Sequence, residues 1–246
     1  MTKYSGHARL PQARYLSVRQ RLWLLGHNGQ RDLERVVNGR VLQIGLMAAT
    51  LTDLMLGGHV YFDSGWVCRD FRPGEARSTP DPIAAAVLYQ VTDERGVPVD
   101  DLLRSASADP DDQPSHLYAR LYERTVAELV AAGILLEQQR TFRPAAYAAA
   151  DQDDLSARSG LLKNRLVFHH GERNDLSIDC LCALAWALGL HATLITTYDQ
   201  ARTECILRDI TDGLAAVEHP YSVLAAVPYL ADCVRGVVGE LAAAPF

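Results

Sequence analysis

Four potential donors crowd the stretch "HHGERND": His169, His170, Glu172 and Asp175. Imidazoles and carboxylates this close could hold a metal ion or move protons. Their positions lack the i, i+4 spacing by which HExxH sets two histidines on one helix face, so a metal site is not expected. The stretch reads as a polar loop capping the next helix through Asp175 or Ser177. No P-loop, no GxSxG and no GxGxxG following a strand occurs, so no catalytic residue, metal or cofactor is expected. An unrecognised enzyme would centre on His169, His170 and Glu172. The five cysteines (Cys68, Cys180, Cys182, Cys205, Cys233) have no CxxC spacing and read as core thiols. Arg120 and Arg124 stand four apart on a helical pattern whose apolar ridge is Tyr118, Tyr122, Val126, Leu129 and Val130. Both guanidinium groups should face water or an anionic ligand.

The elements that would position these groups follow from punctuation along the chain. The 246 residues carry a formal charge of −6, which disfavours wrapping of nucleic acid. Charge is uneven: Lys3, Arg9, Arg14, Arg19, Arg21 and Arg31 fall in the first 31 residues with no acid among them, leaving −12 for the remainder. Residues 1–15 read as a basic arm, and residues 16–246 as a single domain. This cationic N-terminal stretch, bearing Tyr4, Tyr15 and Trp23, could approach an anionic bilayer. Apolar runs are too short for a membrane span or a signal peptide, and a cytoplasmic location is expected.

The stretch "GLMAATLTDLMLGGHVYF" repeats Ile44, Met47, Ala48, Leu51, Leu54 and Met55 at helical spacing, and Gly57 or Gly58 closes the helix. Asp53 is expected on its wet side. "HVYFDSGWVCRD" then reads as a hairpin with a three-residue loop around Asp63, Ser64 and Gly65. An earlier helix runs from an N-cap at Ser17 to Gly26. Later helices are expected over 82–92, from Ser115 to Gly133, over 156–168, from Ser177 to Gly189, over 197–212, and in a last segment interrupted at Pro228. "ILLEQQRTF" is a strand candidate, and "SASADPDDQPS" a loop. The two helix-then-hairpin units are also how winged-helix DNA-binding modules are built. The helix from Val41 to Leu56, however, offers no side chain to read a base.

"GLMAATLTDLMLGGHVYF" together with "ELVAAGILLEQQ" resembles two helix-to-strand junctions of the Golgi phosphoprotein 3 family, bacterial branch, and the likeness extends from about Leu16 to Leu241. The resemblance implies a mainly α fold: a helical bundle core wrapped by amphipathic helices, with one or two short β-hairpins, one of them projecting. It implies a non-enzymatic peripheral membrane protein that binds phosphatidylinositol 4-phosphate or another anionic phospholipid headgroup, with cytosolic tails of membrane enzymes as adaptor partners. The family's headgroup tryptophan falls here on Val36 or Val37, and its three arginines on Met47, Ala119 and Tyr122. All four positions have lost that chemistry. Arg40, Arg120, Arg124 and Arg143 lie near them in sequence and are the expected substitute anionic site. The projecting hairpin corresponds to "TFRPAAYAAADQDD", with Phe142 and Tyr147 as its membrane-contacting residues. Against these expectations stand a winged-helix regulator and a protein-interaction module without a lipid ligand.

Overall fold

The computed structural model describes residues 16–28, 32–71, 80–91, 96–107, 120–139, 145–168, 175–193, 199–216 and 223–243. The basic arm and Ala119, Phe142, Arg143, His169, His170 and Glu172 lie outside the described residues.

Ser17 starts α1 (Val18–Leu25) with a reciprocal capping box: its hydroxyl accepts from the Gln20 N–H, and the Gln20 side chain accepts from its own N–H. Gly26 ends the helix where a Cβ would sit 2.8 Å from Leu42, so a bare backbone is needed for the chain to pass that close. A two-residue ribbon follows, β1 (His27–Asn28) antiparallel to β2 (Glu34–Arg35). Asn38 then caps α2 (Gly39–Leu56), which is buried from Leu42 to Met55 except at Gln43 and Asp53. A helix enclosed on every side cannot enter a DNA groove, which removes the main support for the winged-helix alternative.

After α2, Gly58 adopts φ +69° and the chain enters β3 (Val60–Asp63) and β4 (Trp66–Arg69). Ser64 and Gly65 both have positive φ, so the hairpin turns in two residues rather than the expected three. A third strand, β5 (Val97–Pro98), extends this sheet along β4. Asp81 caps α3 (Pro82–Gln90), whose first residue is the proline. The amphipathic α4 (Val99–Ser107) takes up the start of the segment expected to be loop. Helix α5 (Leu121–Ala131) begins after Arg120, at φ −134°; the expected cap, Ser115, lies outside the described residues. Beyond it β6 (Leu135–Gln138) pairs with β7 (Ala146–Ala149). The acids assigned to that hairpin instead start α6 (Gln152–Val167), where the Asp151 carboxylate accepts from the Asp153 N–H. Asp175 caps α7 (Leu176–Ala187), Asp199 caps α8 (Gln200–Leu214), and α9 (Ala226–Ala243) accommodates Pro228 in its first turn, where the missing N–H would be unpaired anyway.

The fold is mainly α, with short antiparallel hairpins at the edges of a helical core. Helices α2 and α7 are its centre: α2 packs on α1, α3, α4, α5, α7 and α9, and α7 on α1, α6, α8 and α9. Cys68, Cys180 and Cys182 are buried as expected, whereas Cys233 is half-buried and Cys205 exposed.

Charge holds α1 in this core. Asp53 does not face water; its carboxylate accepts from the Val18 and Arg19 N–H groups at 2.8 and 3.2 Å, satisfying α1's first turn from across the interface. The fully buried Arg19 reaches Asp81 at 3.1 Å and Glu128 at 2.6 Å through Nη2, while its Nε and Nη1 have no hydrogen-bond partner. Arg21 closes on Asp175 and Ser177 at 3.1 Å. A buried cation is costlier to strand than to remove. Asp81→Asn with Glu128→Gln should therefore lower stability by about 3–5 kcal/mol, and Arg19→Met by less than about 2 kcal/mol, because the freed carboxylates can hydrate. Urea midpoints check the order; a costlier Arg19→Met would overturn it.

Candidate functional site

The end of α1 delivers an aromatic cluster to the surface. Trp23 in the last turn of α1 and His27 at the start of β1 are four residues apart, and their rings stack at 3.7 Å and 18°. The His27 Nδ1 lies 2.6 Å from the Trp23 carbonyl and its Nε2 2.9 Å from the Tyr122 hydroxyl. A carbonyl only accepts, so Nδ1 carries the proton and Nε2 accepts from Tyr122. Burial, opposed by the Trp23 carbonyl and aided by the Arg35 charge, takes His27 down to about 4 and keeps it neutral. Burial likewise pushes the Tyr122 phenol up to about 12. Tyr147 on β7 meets Trp23 edge-on at 6.4 Å and 86°. The Leu33 N–H donates to the Tyr147 carbonyl at 2.8 Å, tying the β1–β2 ribbon to the second hairpin.

Arg35 lies across the outer face of this cluster. Its guanidinium carbon is 5.6 Å from the Tyr122 ring centre, and Nη1 lies so close to Gly39 that a Cβ there would collide with it. Gly39 opens the first turn of α2, in which Asn38 caps only the Arg40 N–H, at 2.9 Å. Among the described residues Arg35 forms no ion pair. The geometry is therefore a guanidinium fork on an aromatic face beside the positive end of an 18-residue helix.

Arg40 is exposed in that same first turn. Arg124 is exposed on α5, at 100° per residue about 160° around that helix from Tyr122, and Arg120 is exposed at its N-cap. The structure thus puts Arg40 next in sequence to the Gly39 that Arg35 approaches, and leaves Arg120 and Arg124 exposed. Tyr147 is half-buried, two residue pairs or fewer from the loop joining β6 and β7. Val36 and Val37 are half-buried against the core, and Met47 is fully buried. Trp23, expected to approach a bilayer from the cationic N-terminal stretch, is instead fully buried because α1 packs it into the core, and His27 and Arg35 were not anticipated as site residues. The i, i+4 spacing of Trp23 and His27 is a trace of their contact; Arg35 carries no local signal, since its place depends on the ribbon folding back.

The family model for Golgi phosphoprotein 3 (GPP34) matches residues 18–228. The chain belongs to the Golgi phosphoprotein 3 family. Comparison with curated proteins returns no match. The match spans every residue of the aromatic cluster and Arg35, and it begins at the first residue of α1. Among the described residues no helix is long and apolar enough to cross a membrane, and no group of histidine, cysteine and carboxylate side chains could hold a metal ion.

Placing an arginine at Met47, as the family resemblance would suggest, should not rebuild a headgroup site here. Met47→Arg is expected to cost at least about 3 kcal/mol, read from its urea midpoint, because the charge enters a dry core. A stable variant that gains binding to phosphoinositide vesicles would contradict this.

Two buried groups pull stability in opposite directions with pH. His27 falls from its ordinary 6.5 to about 4, so the unfolded chain binds the extra proton and stability rises with pH across that window. Asp53 is raised from 3.8 to about 6 by burial, against its two backbone hydrogen bonds and Arg19, so its contribution is full below 3.8 and lost as pH rises through about 6. Relative to the wild type, Asp53→Asn should gain stability and His27→Asn should lose it as pH rises from about 4 to 6. Parallel denaturation curves for all three chains would refute both assignments.

Proposed function

We propose that this member of the Golgi phosphoprotein 3 family is a non-catalytic protein that binds anionic phospholipid headgroups, phosphoinositides among them, and so attaches peripherally to membranes. The observation that carries this reading is Arg35: a guanidinium without a carboxylate partner among the described residues, braced on Tyr122 beside the first turn of α2. A phosphate there would meet a bidentate fork, the Arg40 side chain and the first-turn N–H groups of α2 that the Asn38 side chain leaves uncapped. Arg120 and Arg124 contribute long-range field from the outward face of α5 and make no direct contact with the bound group. The basic arm, residues 1–15 with Lys3, Arg9 and Arg14, strengthens attachment without selecting a headgroup. Neutral His27 supports the ring beneath Arg35 and adds no competing charge.

Co-sedimentation with phosphatidylcholine vesicles, alone or containing phosphatidylserine or phosphatidylinositol 4-phosphate, tests the reading. Binding should require acidic lipid and weaken with salt. Arg35→Ala with Arg40→Ala should reduce affinity at least about tenfold. Arg120→Ala with Arg124→Ala should reduce it only a few-fold, about what screened surface charge contributes. Equal pelleting with neutral and acidic vesicles would remove the proposal.

A further inference from the structure

The last turn of α7 receives two arginines from two other helices on a single indole. Trp186, 8% exposed, stands in that turn, where α8 and α9 both pack on α7. The Arg235 guanidinium carbon lies 4.4 Å from its ring centre and that of Arg208 5.7 Å, so the two cations are no more than about 10 Å apart. Like charges held this close repel, and the end of the helix does not call for them. The Leu184 and Trp186 carbonyls already accept from the Leu188 and Gly189 N–H groups, and neither arginine donates to them.

Their partners set these arginines apart. Arg19, Arg21, Arg104 and Arg165 each close on a carboxylate. Arg208 uses only Nη2, on Glu204 one turn before it at 3.2 Å, and stays exposed. Arg235, also exposed, forms no hydrogen bond or ion pair among the described residues, and neither does the Trp186 indole N–H. Groups that only donate therefore meet at one ring. An anion with several oxygens, such as phosphate, can accept from two guanidinium forks at once. The surrounding acids decide what carries that phosphate. Asp212 lies one turn after Arg208 and Asp232 one turn before Arg235, both exposed. An anionic bilayer laid against this face would press its charge on Glu204, Asp212 and Asp232 together. A small soluble molecule can offer one phosphate to the forks and leave those acids hydrated.

We propose that Arg208, Arg235 and Trp186 form a distinct anion site, which takes the phosphate of a small soluble phosphate ester or diphosphate. The indole braces both guanidinium groups, and each presents a free edge to the ligand. With acids on either side the site has little long-range field, so it selects by contact geometry and favours a multi-oxygen anion over chloride. It shares no residue with the headgroup reading around Arg35 and is tested separately from it.

Inorganic pyrophosphate titrated into the full chain tests this, read from the isotope-labelled indole N–H resonances of its three tryptophans, with Trp186→Phe assigning the one at the site. The Trp186 resonance should move saturably with pyrophosphate and not with sodium chloride at equal ionic strength. Arg208→Gln and Arg235→Gln should each weaken binding at least about fivefold at unchanged melting temperature. Arg235→Lys, which keeps the charge and loses the fork, should weaken it by a similar factor and gives a second reading should a glutamine perturb the fold. Arg35→Ala should leave it unaltered. An equal response to chloride, or undiminished affinity in the arginine variants of this site, overturns the proposal. Movement of the Trp23 resonance alone would put the anion over the Arg35 cluster and overturn it too. So would a Trp186 response to phosphatidic acid vesicles without one to pyrophosphate, which would make this face a membrane contact.

Discussion

The structure depends on how a short helix is held. Eight residues of α1 are too few to be stable alone, and their first-turn N–H groups would be left unpaired in a buried interface. Asp53 reaches from α2 to satisfy two of them, and Arg19 answers with a buried charge shared between Asp81 and Glu128. Asp81 is itself the cap of α3, so one carboxylate joins two helix starts. These contacts lock the direction of α1, and with it the position of everything that leaves its other end.

What leaves that end is the candidate site. Because α1 is locked, Trp23 projects His27 onto Tyr122 of α5, and the ribbon after Gly26 brings Arg35 back over the same ring. The Val36 N–H donates to the Gly26 carbonyl at 3.0 Å, so Arg35 is placed by backbone pairing rather than by its own side chain. Burial that keeps His27 neutral also leaves Arg35 as the positive charge over this cluster. Stability at one buried group and charge at the surface are thus set by the same packing.

Helix α2 divides the molecule's surface chemistry between its ends. Its first turn meets Arg35 and Arg40, and its last leads through two glycines to a hairpin bearing tyrosine, tryptophan and aspartate. Being dry along its length, the helix serves as a rigid spacer between a cationic end and an aromatic, acidic one.

Much of the architecture was legible residue by residue. Ser17 and Gly26 mark α1, the two glycines after Leu56 mark the end of α2, and apolar periodicity marks α2 as a helix, because capping and period are local properties. Local reading misplaced the start of α5 and missed α4, where neighbouring helices decide which amphipathic turns persist. The family was also visible in the order of its junctions. The site was not. Tyr122 was read only as the place of a lost arginine, Asp53 as a solvated residue, and Arg35 went unnoticed, because each takes its role from a partner 34 to 99 positions away in the chain. Sequence alone determined where the capped, strongly periodic helices α1, α2 and α7 lie; only the tertiary structure decided which charges are buried, which are braced and which remain open, since burial and Coulomb energy depend on distances in space that no local pattern encodes.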